Sequence, residues 1–269
     1  MPKLSPTFGL IIIGDEILSG KRTDKHLSKT IEILASHGLE LGYANYVGDD
    51  PVRITAALKA AFESGDVVFS TGGIGATPDD HTRQCAAKAL GRQLALHPRG
   101  VELIRERMQD VARENNQPYD PEREDNKHRL NMAMFPAGAD LIPNPYNKIA
   151  GFTVGTVHFV PGFPVMAWPM MEWVLDTHYA EHFNKAAHCE QSAIVQGSME
   201  ATLTPLMEEL EAKFVGIKVF SLPSVDHPQY GRHIELGVKG TPDGVAKAYP
   251  AMLAGLAQLG AIILNELKR

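Results

Sequence analysis

Residues 71–82 read Thr-Gly-Gly-Ile-Gly-Ala-Thr-Pro-Asp-Asp-His-Thr and follow the apolar run Val67-Val68-Phe69-Ser70. The pattern predicts a strand, a glycine-rich turn and a helix opened by two acids. Gly72, Gly73 and Gly75 allow a sharp turn and bring bare backbone amides close to a ligand. A helix N-terminus behind them adds partial positive charge, so phosphate is the natural guest. Asp79 and Asp80 beside such a cradle point to a metal ion or to proton handling near that phosphate. A structural account competes: Thr77-Pro78-Asp79-Asp80 fits a capping box, with Thr77 as N-cap and Asp80 at the third helical position. Capping leaves the three glycines unexplained, which favours the ligand.

Other chemistry-bearing residues fall at comparable places. Gly14-Asp15-Glu16 with Gly20-Lys21 invites comparison with a P-loop and fails it, because the glycine spacing is wrong and Arg22 stands where Ser or Thr would bind magnesium. Gly48-Asp49-Asp50 is a third polar turn. Asp50 is accounted for as an N-cap before Pro51, whereas Asp49 is not and is the better site candidate. Gly73-Ile74-Gly75 lacks the third glycine of a dinucleotide fingerprint. Asn126-Lys127 and Asn147-Lys148 are amide-plus-ammonium pairs, and two such pairs in one polar region favour a lysine facing phosphate. His178, Glu181 and His182 match an inverted zinc-peptidase pattern, with both histidines expected on one helix face. No third ligand is evident, so a solvated helix end is the better account.

The elements that must carry these residues follow from hydrophobic periodicity. Phe8–Ile13 is a short apolar strand, and Asp24–His37 is an amphipathic helix closed by Gly38. Leu39–Val47 alternates as a strand, a helix follows Asp50-Pro51, and Val67–Ser70 leads into the glycine loop and a helix ending at Leu90. This β-α-β-α-β-α order predicts a parallel sheet covered on both faces, with ligand groups at the carboxyl ends of its strands. The three polar turns all fall at those ends. Residues 101–117 form a charged helix and 118–129 a polar loop entering another helix. Strands are expected at 139–142 and 157–160, a turn at 143–148, and a helix over Phe163–Tyr179 despite Pro164 and Pro169. Beyond a linker at 182–188, the pattern is β-α-β-β-α-β, the split arrangement of a ferredoxin-like α+β domain.

Composition narrows the partners. The net charge of −6 argues against non-specific nucleic-acid binding. No apolar run reaches the ~18 residues of a spanning helix, and the N-terminus does not resemble a secretory signal. Cys85 and Cys189 read as two unpaired thiols in a reducing compartment, so a cytoplasmic location is expected.

Taken together, the residues resemble the molybdopterin-binding (MoaB/Mog-like) fold family. They come nearest to the amino-terminal domain of CinA-type competence/damage-inducible proteins and the related domain of FAD synthases. The signature runs through Gly14-Asp15-Glu16-Ile17-Leu18 with Gly20, Val47-Gly48-Asp49, and Thr71-Gly72-Gly73-Ile74-Gly75 with Asp79, Asp80 and Thr82. It continues through Asn126-Lys127, Pro143-Asn144-Pro145, Gly151-Phe152 and Pro161-Gly162-Phe163-Pro164. Ala76, Asp24-Lys25-His26 and Ile149-Ala150 depart from the CinA-type pattern, and Asp24-Lys25 echoes the molybdopterin adenylyltransferases.

The resemblance implies a three-layer α/β/α, mostly parallel sheet over residues 1–182 and a small ferredoxin-like α+β domain over 188–269. It implies a nucleotide or pterin ligand, a divalent metal (Mg²⁺, Mn²⁺ or Co²⁺) and a homo-oligomer, dimer or trimer. The expected activity is hydrolysis of a nucleotide pyrophosphate such as ADP-ribose or FAD. Adenylyl transfer to molybdopterin and non-catalytic nucleotide binding are the alternatives. On this reading Asp80, Asp49 and Lys148 are catalytic. Thr71, Gly72, Gly73, Gly75, Asp79, Thr82, Asn126, Lys127 and Asn144 bind phosphate or nucleotide. Asp15, Glu16, Asp49 and Asp80 hold the metal.

Overall fold

The first strand, Phe8–Ile13 (β1), is buried along its whole length, as a strand covered on both faces must be. In this computed structural model, which describes residues 6–183 and 189–268, the chain divides into two units after Phe183. In the first unit, β1 is followed by a single helical turn, Asp15–Leu18 (α1), then His26–Ser36 (α2), Leu41–Val47 (β2), Pro51–Ser64 (α3), Val67–Thr71 (β3) and Thr82–Leu90 (α4). A short antiparallel pair, Leu94–Leu96 (β4) and Met134–Pro136 (β5), brackets Pro98–Glu114 (α5) and Glu124–Arg129 (α6). Asp140–Ile142 (β6), Gly151–Val154 (β7), Val157–Val160 (β8) and Pro164–His178 (α7) complete the unit.

The six-stranded sheet has the order β2-β1-β3-β8-β7-β6. β2, β1, β3 and β8 are mutually parallel, while β7 runs antiparallel to both β8 and β6. Helices α2 and α7 cover one face through Ile33, Leu34, Met170, Met171 and Val174. Helices α3 and α4 cover the other through Ile54, Leu58, Cys85 and Ala86. The three layers expected from the strand-helix alternation are therefore present.

Three differences are informative. β7 has no counterpart among the strands expected in this region, which are 139–142 and 157–160 with a turn at 143–148. Yet all four of its residues are buried, and Phe152 stacks on Phe159 with ring centroids 4.2 Å apart. Helix α4 begins at Thr82, not at Pro78, so Asp79 and Asp80 lie in the turn before the helix and no capping box opens it. His178 ends α7, whereas Glu181 and His182 lie in a separate 3-10 turn. The two histidines thus do not share a helix face.

The second unit has Cys189–Gln196 (β9), Glu200–Lys213 (α8), Lys218–His227 (β10), Gly231–Gly240 (β11), Pro242–Gln258 (α9) and Ile262–Lys268 (β12). Its sheet is entirely antiparallel, in the order β10-β11-β9-β12. This is the ferredoxin-like arrangement, with Leu203, Leu210, Val245, Met252 and Leu256 of α8 and α9 buried in its core. The expected linker falls mostly on 184–188, outside the described residues. Among the described residues no helix is long and apolar enough to cross a membrane.

Candidate functional site

The carboxyl ends of β1, β2, β3 and β8 open into a cleft of about 450 Å³. β1 delivers Gly14 and Glu16, the turn after β2 delivers Asp49, and β3 delivers the glycine loop with Asp79 and Asp80. Pro161, Gly162 and Phe163 come from the turn after β8, while Asn144, Asn147, Ile149 and Ala150 come from the connection between β6 and β7.

The loop glycines are dictated by packing. Gly72 has φ 94°, and a Cβ on it would lie 2.2 Å from the Ile13 carbonyl oxygen. On Gly73 (φ 66°) a Cβ would meet Thr82 Oγ1 at 2.2 Å. Neither position tolerates a side chain, so the turn brings the strands of β1 and β3 together before any ligand is considered. The Gly72 N–H is already spent on the Val160 carbonyl at 3.1 Å, which removes it as the phosphate donor it was expected to be. Thr82 is wholly buried and ties the loop to α4, its N–H donating to Gly73 O and its hydroxyl to Gly72 O, both at 3.0 Å. Its role is therefore to hold the loop, not to touch a ligand. Thr71 ends β3 out of the cleft, its buried hydroxyl without a hydrogen-bond partner among the described residues.

The acids form a mutually constrained group. The Asp15 N–H donates to Asp49 Oδ2 at 2.8 Å, and the Asp49 N–H donates to Asp15 Oδ1 at 3.1 Å. Burial raises the Asp49 carboxyl above its ordinary range, and the charges of Asp15, Glu16 and Asp79 add to the rise against the opposing Asp15 backbone bond. Asp80 Oδ2 accepts from the Thr77 N–H at 2.8 Å and the Thr77 hydroxyl at 2.6 Å. Asp15 lies in an adjoining recess shared with Glu16, Asp49 and Asp79. No group of three or more His, Cys, Asp or Glu among the described residues is arranged to hold a metal. The donor set fits a cation that arrives on ligand phosphates and takes one or two carboxylates from the protein, which is the usual manner of Mg²⁺. It does not fit a resident all-protein site.

Four further expected residues have their polar groups engaged within the protein. Asn126 is buried and donates to Asp120 O at 2.7 Å, beneath a recess beside α5 and separate from the cleft. Lys127 pairs with Glu122 and Glu124, each at 3.3 Å. Lys148 Nζ lies 2.7 Å from Asp110 and 3.6 Å from Glu106 of α5 and does not line the cleft. Asn144 does line it, but its amide donates to Asn147 Oδ1 and Ile149 O, and its oxygen accepts the Tyr146 N–H. These bonds shape the turn between β6 and β7.

Three basic residues escaped the sequence reading. Arg22 reaches the cleft and faces Glu16 at 3.6 Å. Arg83 is buried beneath the glycine loop and donates to Ile74 O and Gly75 O. His128 donates to Ala76 O at 2.9 Å. Only Arg22 had a local signal, its place in the Gly14–Arg22 turn; Arg83 looks like any solvated helix residue.

Residues 9–180 match the family model MoCF_biosynth, described as "Probable molybdopterin binding domain". A CinA-like protein from Geobacter metallireducens is 29% identical, over 96% of this chain and 58% of that one. A protein from Pyrobaculum calidifontis is 29% identical, over 94% of this chain and 95% of its own length. Several curated relatives are longer, and the match spans 38% to 58% of their length. Among solved structures, a CinA protein of unknown function from Thermoplasma acidophilum superposes with a TM-score of 0.53 at 27% identity, covering 63% of this chain and 97% of that chain. Through residues 9–180, with the glycine loop and acidic turns at its strand ends, this chain belongs to the molybdopterin-binding domain family.

Proposed function

We propose that the chain hydrolyses the diphosphate link of a nucleotide such as ADP-ribose or FAD, assisted by a divalent cation. The observation that carries this reading is that one cleft is bordered both by the backbone of the glycine loop and by Glu16, Asp49, Asp79 and Asp80. Backbone amides suit phosphate oxygens, and carboxylates facing the same space suit a cation on those oxygens. A bound Mg²⁺, Mn²⁺ or Co²⁺ would offset phosphate charge and polarise the reacting phosphorus.

Asp49 is the base in this reading. A carboxylate whose affinity for protons is raised by burial and by neighbouring acids is suited to accept one from water. Water adds to phosphorus, the anhydride P–O bond breaks, and two phosphomonoesters leave. Asp80, fixed by its two bonds from Thr77, orients the water or the cation. Arg22 supplies positive charge at the cleft in the role the sequence assigned to Lys148.

The test is a screen of ADP-ribose, FAD and NAD with Mg²⁺, Mn²⁺ and Co²⁺, following mononucleotide release. Asp80→Asn is expected to lower the rate by at least ~10²-fold with the fold intact. No mononucleotide from any pair would end the reading. An adenylated pterin formed from ATP and molybdopterin would replace it with adenylyl transfer.

A further inference from the structure

Arg83 is the second residue of α4 and only 4% exposed, yet it does not line the cleft. Its Nη1 donates to Ile74 O at 3.0 Å and its Nη2 to Gly75 O at 2.5 Å, so one planar fork holds two successive carbonyls of the glycine loop. His128 takes the next carbonyl, that of Ala76. In a trans peptide the C=O of one residue and the N–H of the next point in opposite directions, and no cis peptide occurs among the described residues. Holding the Ile74 and Gly75 carbonyls therefore turns the N–H groups of Gly75 and Ala76 away from Arg83. Gly75 and Ala76 themselves line the cleft. Neither N–H meets a protein acceptor among the described residues, whereas the Gly72 N–H is committed to Val160 O and the Thr77 N–H to Asp80.

We propose that Arg83 is the positioning residue of the loop, aiming the Gly75 and Ala76 N–H groups at a phosphate oxygen from behind. Its charge polarises both peptide groups and strengthens them as donors in a site of low dielectric. A lysine there would keep the charge but lose the fork, because an ammonium is a point donor and cannot hold two carbonyls in one plane. The inference rests on the phosphate reading above and deepens it. It moves the anion contact from the expected Gly72 to Gly75 and Ala76, and it names the residue that orients them.

The experiment is an NMR titration of the ¹⁵N-labelled full chain with inorganic pyrophosphate and Mg²⁺. The Gly75 and Ala76 amide protons should move downfield most, and Gly72 should stay nearly still. Arg83→Lys should weaken pyrophosphate binding by at least ~10-fold and leave those two amides unresponsive. Wild-type shifts centred on Gly72, or pyrophosphate affinity unchanged in the variant, would overturn the proposal. The wild-type titration stands alone if the variant does not fold. Pyrophosphate that moves Gly75 and Ala76 in a protein without nucleotide turnover would end the hydrolase reading and leave Arg83 in place. Turnover with both amides unmoved would do the reverse.

Discussion

Asp15 and Asp49 lie 34 residues apart, and each accepts the other's backbone N–H through its carboxylate. This exchange stitches the turn after β1 to the turn after β2 and sets Asp49 on the cleft with Asp15 in the recess beside it. Such a pair holds the local backbone while its charges repel.

Asp49→Asn separates those two effects. The amide oxygen still accepts the Asp15 N–H, while the repulsion from Asp15, Glu16 and Asp79 disappears. Because the folded state raises the Asp49 pKa, its ionisation works against folding above the ordinary carboxylate range. The variant should therefore melt slightly higher than wild type at pH 7 while losing at least ~10²-fold in turnover. A lower melting temperature with full activity would contradict both halves.

Lys148→Ala should leave turnover within about 3-fold, since the ammonium is held by Asp110 and Glu106 on α5 and exposed pairs contribute little. Lys148 has φ 65°, and alanine is as poorly suited to that conformation as lysine, so the comparison isolates the side chain. A ~10²-fold fall in kcat would restore the catalytic role expected from sequence.

Gly72→Ala is expected to destabilise the first unit by at least ~2 kcal/mol. Its Cβ would sit 2.2 Å from the Ile13 carbonyl at φ 94°, and relief requires β1 and β3 to part. Urea unfolding measures the loss. A variant as stable as wild type would mean the turn has another conformation.

His158 is buried between Thr153 and Tyr179, its Nδ1 2.9 Å from one hydroxyl and its Nε2 2.7 Å from the other. Burial pushes its pKa down to about 3, whereas an unfolded histidine titrates near ~6.5. Between those values the unfolded chain binds a proton that the folded chain does not. Stability should fall as pH drops through this window, by up to ~1.4 kcal/mol per pH unit for this one group. His158→Gln, though less stable at pH 7, should lose that part of the slope in urea unfolding from pH 4 to 7. Identical slopes would mean that His158 is protonated in the folded protein.

The parallel strands and their helices were legible because each buries a periodic face, as Ile54 and Leu58 do on α3 and Leu34 on α2, although on α2 Leu27 is half-buried and Ile31, at the same spacing, is exposed. The polar turns were legible because connectivity places them at the same sheet end. Glycine was legible as a signal and misread in its cause: Gly72 and Gly73 exist for the contacts with Ile13 and Thr82, which only the packed sheet reveals. Lys148 and Asn126 failed for the complementary reason, since nothing local announces that α5 will supply Asp110 or that Asp120 will claim the Asn126 amide. Arg83 was invisible because the groups it serves are backbone oxygens, which every sequence has in abundance.

In the second unit, β9 is hydrogen-bonded by β11 on one side and β12 on the other. A ribosome that has released residues as far as α7 has emitted every strand of the first sheet, which can close while synthesis continues. The second sheet must wait for residues 262–268 before its opening strand gains both neighbours. The two units are thus expected to mature at different moments of translation, and a chain interrupted before Ile262 would spare the cleft while leaving β9 with a bare edge.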